Sequence, residues 1–300
     1  MPVSPTALVL FAGLLCSGAA ASAAVPAGSA TATEYAGDDT FFPQRSPWAS
    51  VQQTIGTTII TIEYHRPAVR GRAIWGSLVP YHEVWRAGAN EATTIRFSDN
   101  VRINDQEVKA GLYSLFMIPR PDVWTVILNR RAKQWGAYEY DPKQDVLRFE
   151  VRPRSNGHTD WLTYALDPTS DSTAYVQFLW EKLRVSFLVE VNVEALASAR
   201  MKKLFAQRPN DWKVYCDAAE YGLEQGIPLH QALAWVDRSL AIQQNPTNLA
   251  VKARLLHEAG QRPEAIALME KALQRARALK QSAAVTSPME SDLANWRQGR

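Results

Sequence analysis

Between Thr61 and Asn90 the chain carries Arg66, Arg70, Arg72 and Arg86 against Glu63 and Glu83, a local excess of +2 (four minus two), with His65 and His82 close by. Guanidinium groups gathered in a partly enclosed loop suit bidentate capture of a carboxylate, phosphate or sulfate. Tyr64, Trp75, Tyr81 and Trp85 are interleaved with them. A second segment, 129–145, adds Trp135, Tyr138 and Tyr140, whose flat faces can stack on a sugar or another ring. The candidate ligand-binding set is therefore Tyr64, Arg66, Arg70, Arg72, Trp85, Arg86, Asn90, Glu91 and Trp135. The arginines would supply charge, Trp85 and Trp135 stacking, and Asn90 and Glu91 orientation. The competing reading is packing: the aromatics fill space under long loops while the arginines tie loop carbonyls and Glu91 together.

Other chemistries find less support. His82-Glu83 begins a His-Glu-x-x-His zinc motif, but Arg86 stands where the second histidine belongs. His65, His82 and His158 have no ligand spacing, so no metal site is assigned. There is no Gly-x-Ser-x-Gly elbow, no Ser-x-x-Lys pair and no glycine-rich phosphate loop opening a helix, and no cofactor is expected. Glu83 and Glu91 offer two carboxylates of the type glycosidases use, but sequence gives no separation between them. The simpler expectation is that each pairs with a neighbouring arginine. No catalytic residue is assigned. A formal charge of +3 is too small to point to nucleic acid.

The N-terminus reads as an export segment. Ala7 to Leu15 is an uncharged apolar run, too short to span a bilayer, and Ala21-Ser22-Ala23 fits the small-x-small pattern of a cleavage site near Ala23. Residues 24–45, rich in small residues, read as a flexible leader. Lipid attachment at Cys16 would need a small residue before it, and Leu15 stands there. The mature chain would be periplasmic or secreted, without a transmembrane segment. Cys216 is then its one cysteine, which rules out an internal disulfide and a cysteine-based zinc site.

The elements that must position the candidate residues come next. From residue 46 to 192 strand follows strand: 57–64, 93–98, 101–103, 108–118, 123–128, 146–151, 161–166, 174–180 and 183–191. Short strands with tight connections and no helices between them predict an all-β antiparallel sandwich or barrel. Two long connections, 65–92 and 129–145, interrupt the pattern, and loops of that length in a compact domain are commonly functional. After residue 192 the period changes to about 3.6. "QALAWVDRSLAIQQNP" and "PEAIALMEKALQRA" superpose at a shift of 33, and Gly226 to Gly260 is a shift of 34. Residues 193–280 thus resemble tetratricopeptide-type helical hairpins, with 281–300 as a tail. Either the helix at 193–207 or the tail around Leu293 and Trp296 would cap the stack.

"SPWASVQQTIGTTIITIEYHRPAVRGRAIWGSLVPYHEVWRAGANEATTIRF", "AGLYSLFMIP" and "WTVILNRRAKQWGAYEYDPKQDVLRFEV" closely resemble the bacterial proteins grouped as domain of unknown function 2911, over about residues 46–190. The resemblance implies an exported β-rich domain, in some members followed by tetratricopeptide-like helices. It implies no activity and no site residues.

Three functional expectations follow. The first is a ligand-binding or assembly module, holding a small anionic ligand or a glycan between loops 65–92 and 129–145 and a protein partner on the helical repeats. The second is a hydrolase of glycan or peptidoglycan using Glu83 or Glu91. The third is purely structural, with loop 65–92 as a plug over one end of the β domain.

Overall fold

A computed structural model describes residues 42–299. The expected export signal, the cleavage site expected near Ala23 and the expected leader up to residue 41 lie outside the described residues. The β domain contains β1 (Trp48–Ile55), β2 (Thr58–His65), β3 (Thr94–Phe97), β4 (Val101–Ile103), β5 (Gln106–Val108), β6 (Gly111–Ile118), β7 (Trp124–Asn129), β8 (Asp145–Val151), β9 (Arg154–Ser170) and β10 (Thr173–Glu190). One sheet has the order β1-β2-β3-β6-β7-β8 and the other β5-β4-β10-β9, with every named pairing antiparallel.

Period-two alternation drives the packing. Ile60, Ile62 and Tyr64 of β2 face inward, as do Ile95 and Phe97 of β3 and Val176, Phe178 and Trp180 of β10. Burying such side chains removes most of their apolar surface from water, roughly 1.5–3 kcal/mol each before conformational entropy is subtracted. At the centre Trp75 meets Trp124 edge-on at 4.7 Å, and Trp85 stacks on Trp180 at 5.9 Å.

β6 and β7 depart from alternation. Leu115, Phe116, Met117 and Ile118 are all buried, as is every residue of β7. Their outer face is covered by the two long loops, whose Val84, Ala92, Ala137 and Tyr140 pack on Phe116, Ile118 and Ile127. A sheet buried on both faces needs continuous hydrophobic strands, and that is what the sequence supplies here.

Three strand expectations are corrected. β1 was missing from them, because Ala49, Val51 and Gln53 on its inner side are only half-buried and the alternation is faint, as suits an edge strand. Residues 108–118 are two strands, since β5 ends at Val108 and β6 starts at Gly111. Residues 174–180 and 183–191 form one strand, β10, which carries register shifts either side of Glu181 at φ +56. The shift exchanges faces, so even-numbered residues are buried before Glu181 and odd-numbered ones after it.

Six helices follow: α1 (Val193–Gln207), α2 (Trp212–Glu224), α3 (Leu229–Ile242), α4 (Pro246–Glu258), α5 (Arg262–Ala278) and α6 (Ala283–Arg297). The hairpins α2–α3 and α4–α5 bury equivalent positions. Ala219 and Ala253 correspond at a shift of 34, Ala232 and Ala265 and likewise Val236 and Met269 at 33, and all six are fully buried. Asn248 ties the hairpins together, donating to Ser239 Oγ at 3.0 Å while Ser239 Oγ donates to the Trp212 carbonyl at 2.8 Å. The C-terminal segment read as a tail is helix α6, which lays Met289, Leu293 and Trp296 on α5. α1 buries none of its side chains fully. It is joined to the β domain by Arg200, which reaches Asp99 at 2.9 Å and the Thr57 carbonyl at 3.0 Å. Gly56 (φ +56) makes this join possible, since a Cβ there would lie 2.6 Å from the Val193 side chain at the start of α1. No helix among the described residues is long and apolar enough to cross a membrane.

Candidate functional site

Loop 65–92 is irregular but tightly determined. Arg70, His82, Ala87 and Asn90 all have φ between +50 and +66, a left-handed conformation that non-glycine residues adopt at a cost. At Ala87 the cost is met by fixed contacts: its carbonyl accepts from Thr93 Oγ1 at 3.0 Å and from Tyr164 Oη at 2.9 Å. The next residue must be small, because a Cβ on Gly88 would stand 2.7 Å from Thr93 Oγ1. On the other side, Trp85 exchanges two backbone hydrogen bonds with Met117 of β6, at 2.8 and 2.9 Å. Arg86 is thus held at both neighbours.

The side chain so placed lines a cleft of about 580 Å³. Trp85 and Trp180 also line it, together with the arginines at 45, 70, 72 and 86 and a carboxylate, Glu83. Four guanidiniums against one carboxylate leave a formal excess of +3 (four minus one). Tyr138, 83% exposed, lines the cleft from the second long loop.

The arginines differ in what they bind. Arg72 spends its guanidinium on loop carbonyls, Val69 O at 3.1 Å and Ala68 O at 2.5 Å. Arg70 donates to the Arg45 carbonyl at 3.2 Å and lies 5.9 Å from the Trp161 ring centre. Arg86 has no such outlet. Its Nε is buried with no hydrogen-bond partner among the described residues, and burial lowers its pKa, partly opposed by Tyr138. A guanidinium placed this way has donors to offer and its desolvation uncompensated.

Of the predicted set, Arg70, Arg72, Trp85, Arg86 and Asn90 come together around this cleft, while Tyr64, Arg66, Glu91 and Trp135 do not line it. Tyr64 is buried, its Oη accepting from the Tyr164 backbone N–H at 3.1 Å. Arg66 fastens the loop to β9 through the Leu162 carbonyl at 2.8 Å and Thr163 Oγ1 at 2.7 Å. Trp135 is 57% exposed and pairs by backbone with Glu91.

Glu91 pairs with a histidine rather than an arginine: its carboxylate is 2.8 Å from His65 Nε2. The other ring nitrogen, Nδ1, is 3.0 Å from the Ser46 carbonyl and 3.1 Å from Asn90 Nδ2. With Nε2–H given to Glu91, the neutral ring accepts from Asn90, and the protonated ring donates to Ser46. A ring protonated at Nδ1 holds Ser46 directly, and the Pro47 carbonyl fixes the same segment by accepting from Arg66 N at 2.8 Å. Glu83 and Glu91 therefore do not share the cleft, and only Glu83 lines it. Among the described residues no group of three His, Cys, Asp or Glu side chains is arranged to hold a metal ion.

Sequence reasoning left out Arg45, Ser46 and Trp180. The first two border a segment read as leader, and Trp180 is an inward strand residue with no local mark of function. Tyr138 is one of the aromatics of segment 129–145 and lies outside the predicted set.

The family model described as a protein of unknown function (DUF2911) matches residues 46–189, the span of the β domain. No curated protein and no solved structure matches the chain.

Proposed function

We propose that the β domain matched by that family model is a binding module for a small anionic ligand, seated in the cleft between loops 65–92 and 129–145. The observation that carries this reading is Arg86: a guanidinium fixed by its backbone neighbours, with a buried Nε that no group among the described residues satisfies. A carboxylate, phosphate or sulfate supplies the acceptors it lacks. Arg45 and Arg70 add attraction, and Tyr138 offers a face for a sugar or other ring. Binding rather than turnover is favoured because Glu83 is the one carboxylate lining the cleft among the described residues, and the paired geometry of glycosidases needs a second.

The helical domain is of tetratricopeptide type in this reading, supported by hairpins that repeat at 33 and 34 residues with matched buried positions. Such stacks receive peptide or helical partners, which makes the chain a ligand-sensing assembly component. Export is supported by the apolar run and small-residue site near Ala23 and by the lone Cys216 that the mature chain would keep.

Isothermal titration with citrate, inorganic phosphate and uronic-acid sugars tests the site. Binding by one class that weakens about tenfold or more, or about 1.4 kcal/mol, in Arg86→Ala is the expected result. If all three classes fail, or if Arg86→Ala binds as wild type does, the reading is wrong.

A further inference from the structure

A second cleft, of about 630 Å³, shares no lining residue with the first. Arg152, Arg154 and Arg184 line it with Tyr175, Gln177 and Ser186. In the β9–β10 ladder Arg184 stands directly opposite Arg154, and Arg152 precedes Arg154 across Pro153. Like charges directly opposite each other in an antiparallel pair destabilise it, so this position works against the sheet. Among the described residues none of the three guanidiniums has a carboxylate within the 4.0 Å of an ion pair. The two acids that line the cleft have other partners. Glu150 faces Arg120 at 3.5 Å, and Asp167 accepts from Gln177 at 3.1 Å.

We propose that this cleft is a second ligand site, which takes the phosphate or sulfate group of a small molecule. A tetrahedral oxyanion presents peripheral oxygens in three directions and can accept from guanidiniums arriving from different sides. A carboxylate has two oxygens in one plane and leaves part of the repulsion between Arg154 and Arg184 in place. Tyr175, 41% exposed, lines the same cleft and can cover the rest of the ligand. Occupancy removes the like-charge penalty within the ladder, so the bound anion acts as a counter-ion that fastens β9 to β10.

Thermal unfolding with inorganic pyrophosphate, against acetate at matched ionic strength, tests the site in wild type and in Arg86→Ala, which takes the first cleft out of account. Pyrophosphate at ten times its Kd should raise Tm by about 3–5 °C over acetate in Arg86→Ala and by at least as much in wild type. In the Arg86→Ala background, Arg184→Glu, which places a carboxylate opposite Arg154, should raise Tm without any anion and abolish the pyrophosphate response. In the same background Arg184→Gln should abolish the response while adding no new pair. The proposal is overturned if pyrophosphate does no more than acetate in Arg86→Ala, or if both Arg184 variants keep the full response.

Discussion

His65 and Glu91 form a pair in which the imidazole is buried and the carboxylate is half-exposed, with Nε2 and Oε2 2.8 Å apart. The pair fixes the ring whose Nδ1 faces the Ser46 carbonyl and Asn90 at the edge of the cleft. Glu91→Ala leaves a buried N–H without an acceptor and should cost about 1–3 kcal/mol in urea unfolding. Glu91→Gln keeps a carbonyl oxygen in reach and should cost less than half as much. Equal losses for the two variants would mean that the hydrogen bond is not the source of the stability.

Arg66 and Arg86 should respond to truncation in opposite ways. Arg66→Ala deletes two hydrogen bonds to β9 and leaves the Leu162 carbonyl unpaired, which should cost about 1–3 kcal/mol. Arg86→Ala removes a partly desolvated cation whose Nε has no hydrogen-bond partner among the described residues, so its Tm should stay level or rise while anion binding is lost. A fall in stability as large as that of Arg66→Ala would place Arg86 among the structural residues.

Asp99 links the β domain to α1, and acid should loosen that link. Burial pushes its carboxyl up, but hydrogen bonds from Ser98 and Arg200, and the charge of Arg200, together hold it below the ordinary value of 3.8. A depressed folded pKa contributes stability that is present above 3.8 and lost as pH falls through the folded value. Asp99→Asn should therefore cost up to about 1 kcal/mol near neutrality, in keeping with a partly exposed pair. The difference from wild type should vanish in strong acid, which paired denaturation curves at the two pH values would reveal.

Tyr140 sets a limit at the alkaline end. Burial, then the hydrogen bond to Asp145 at 2.7 Å and the Asp145 charge, push its phenol up to about 12. A raised folded pKa contributes stability that is complete below the ordinary value of 10.0 and lost as pH rises towards about 12. Tyr140→Phe should be less stable than wild type at neutral pH, and the gap should close over that alkaline window. Absorbance titration should show one fewer late-ionising tyrosine in the variant.

How much of this was legible in sequence depended on whether the information was local. The alternation of Leu147, Phe149 and Val151 marks β8, and the matched spacing of Ala232 with Ala265 marks the hairpins, because one strand or one helix face contains the whole signal. The long loops announced themselves through tryptophan, tyrosine and arginine. What sequence did not separate is one arginine from another. Arg66, Arg72 and Arg86 are alike in type and setting, and only the carbonyls contributed by β9 and by the loop itself show which are already satisfied. The continuity of β10 was hidden for a related reason. Glu181-Lys182 reads as a polar turn unless the partner strand is known to run past it.

The β9–β10 ribbon is tied to its own base, the Val191 backbone N–H donating to the Ser172 carbonyl at 2.8 Å, and it meets β2 through the Tyr64 and Tyr164 bond spanning 100 residues of chain. Each helical hairpin, by contrast, joins helices only a few residues apart in sequence. Chain segments so distant must lose much freedom before their contacts reward it, and domains built from such contacts assemble slowly. During refolding the C-terminal helices should therefore form first, leaving the N-terminal domain to close around its tryptophans as the rate-limiting event.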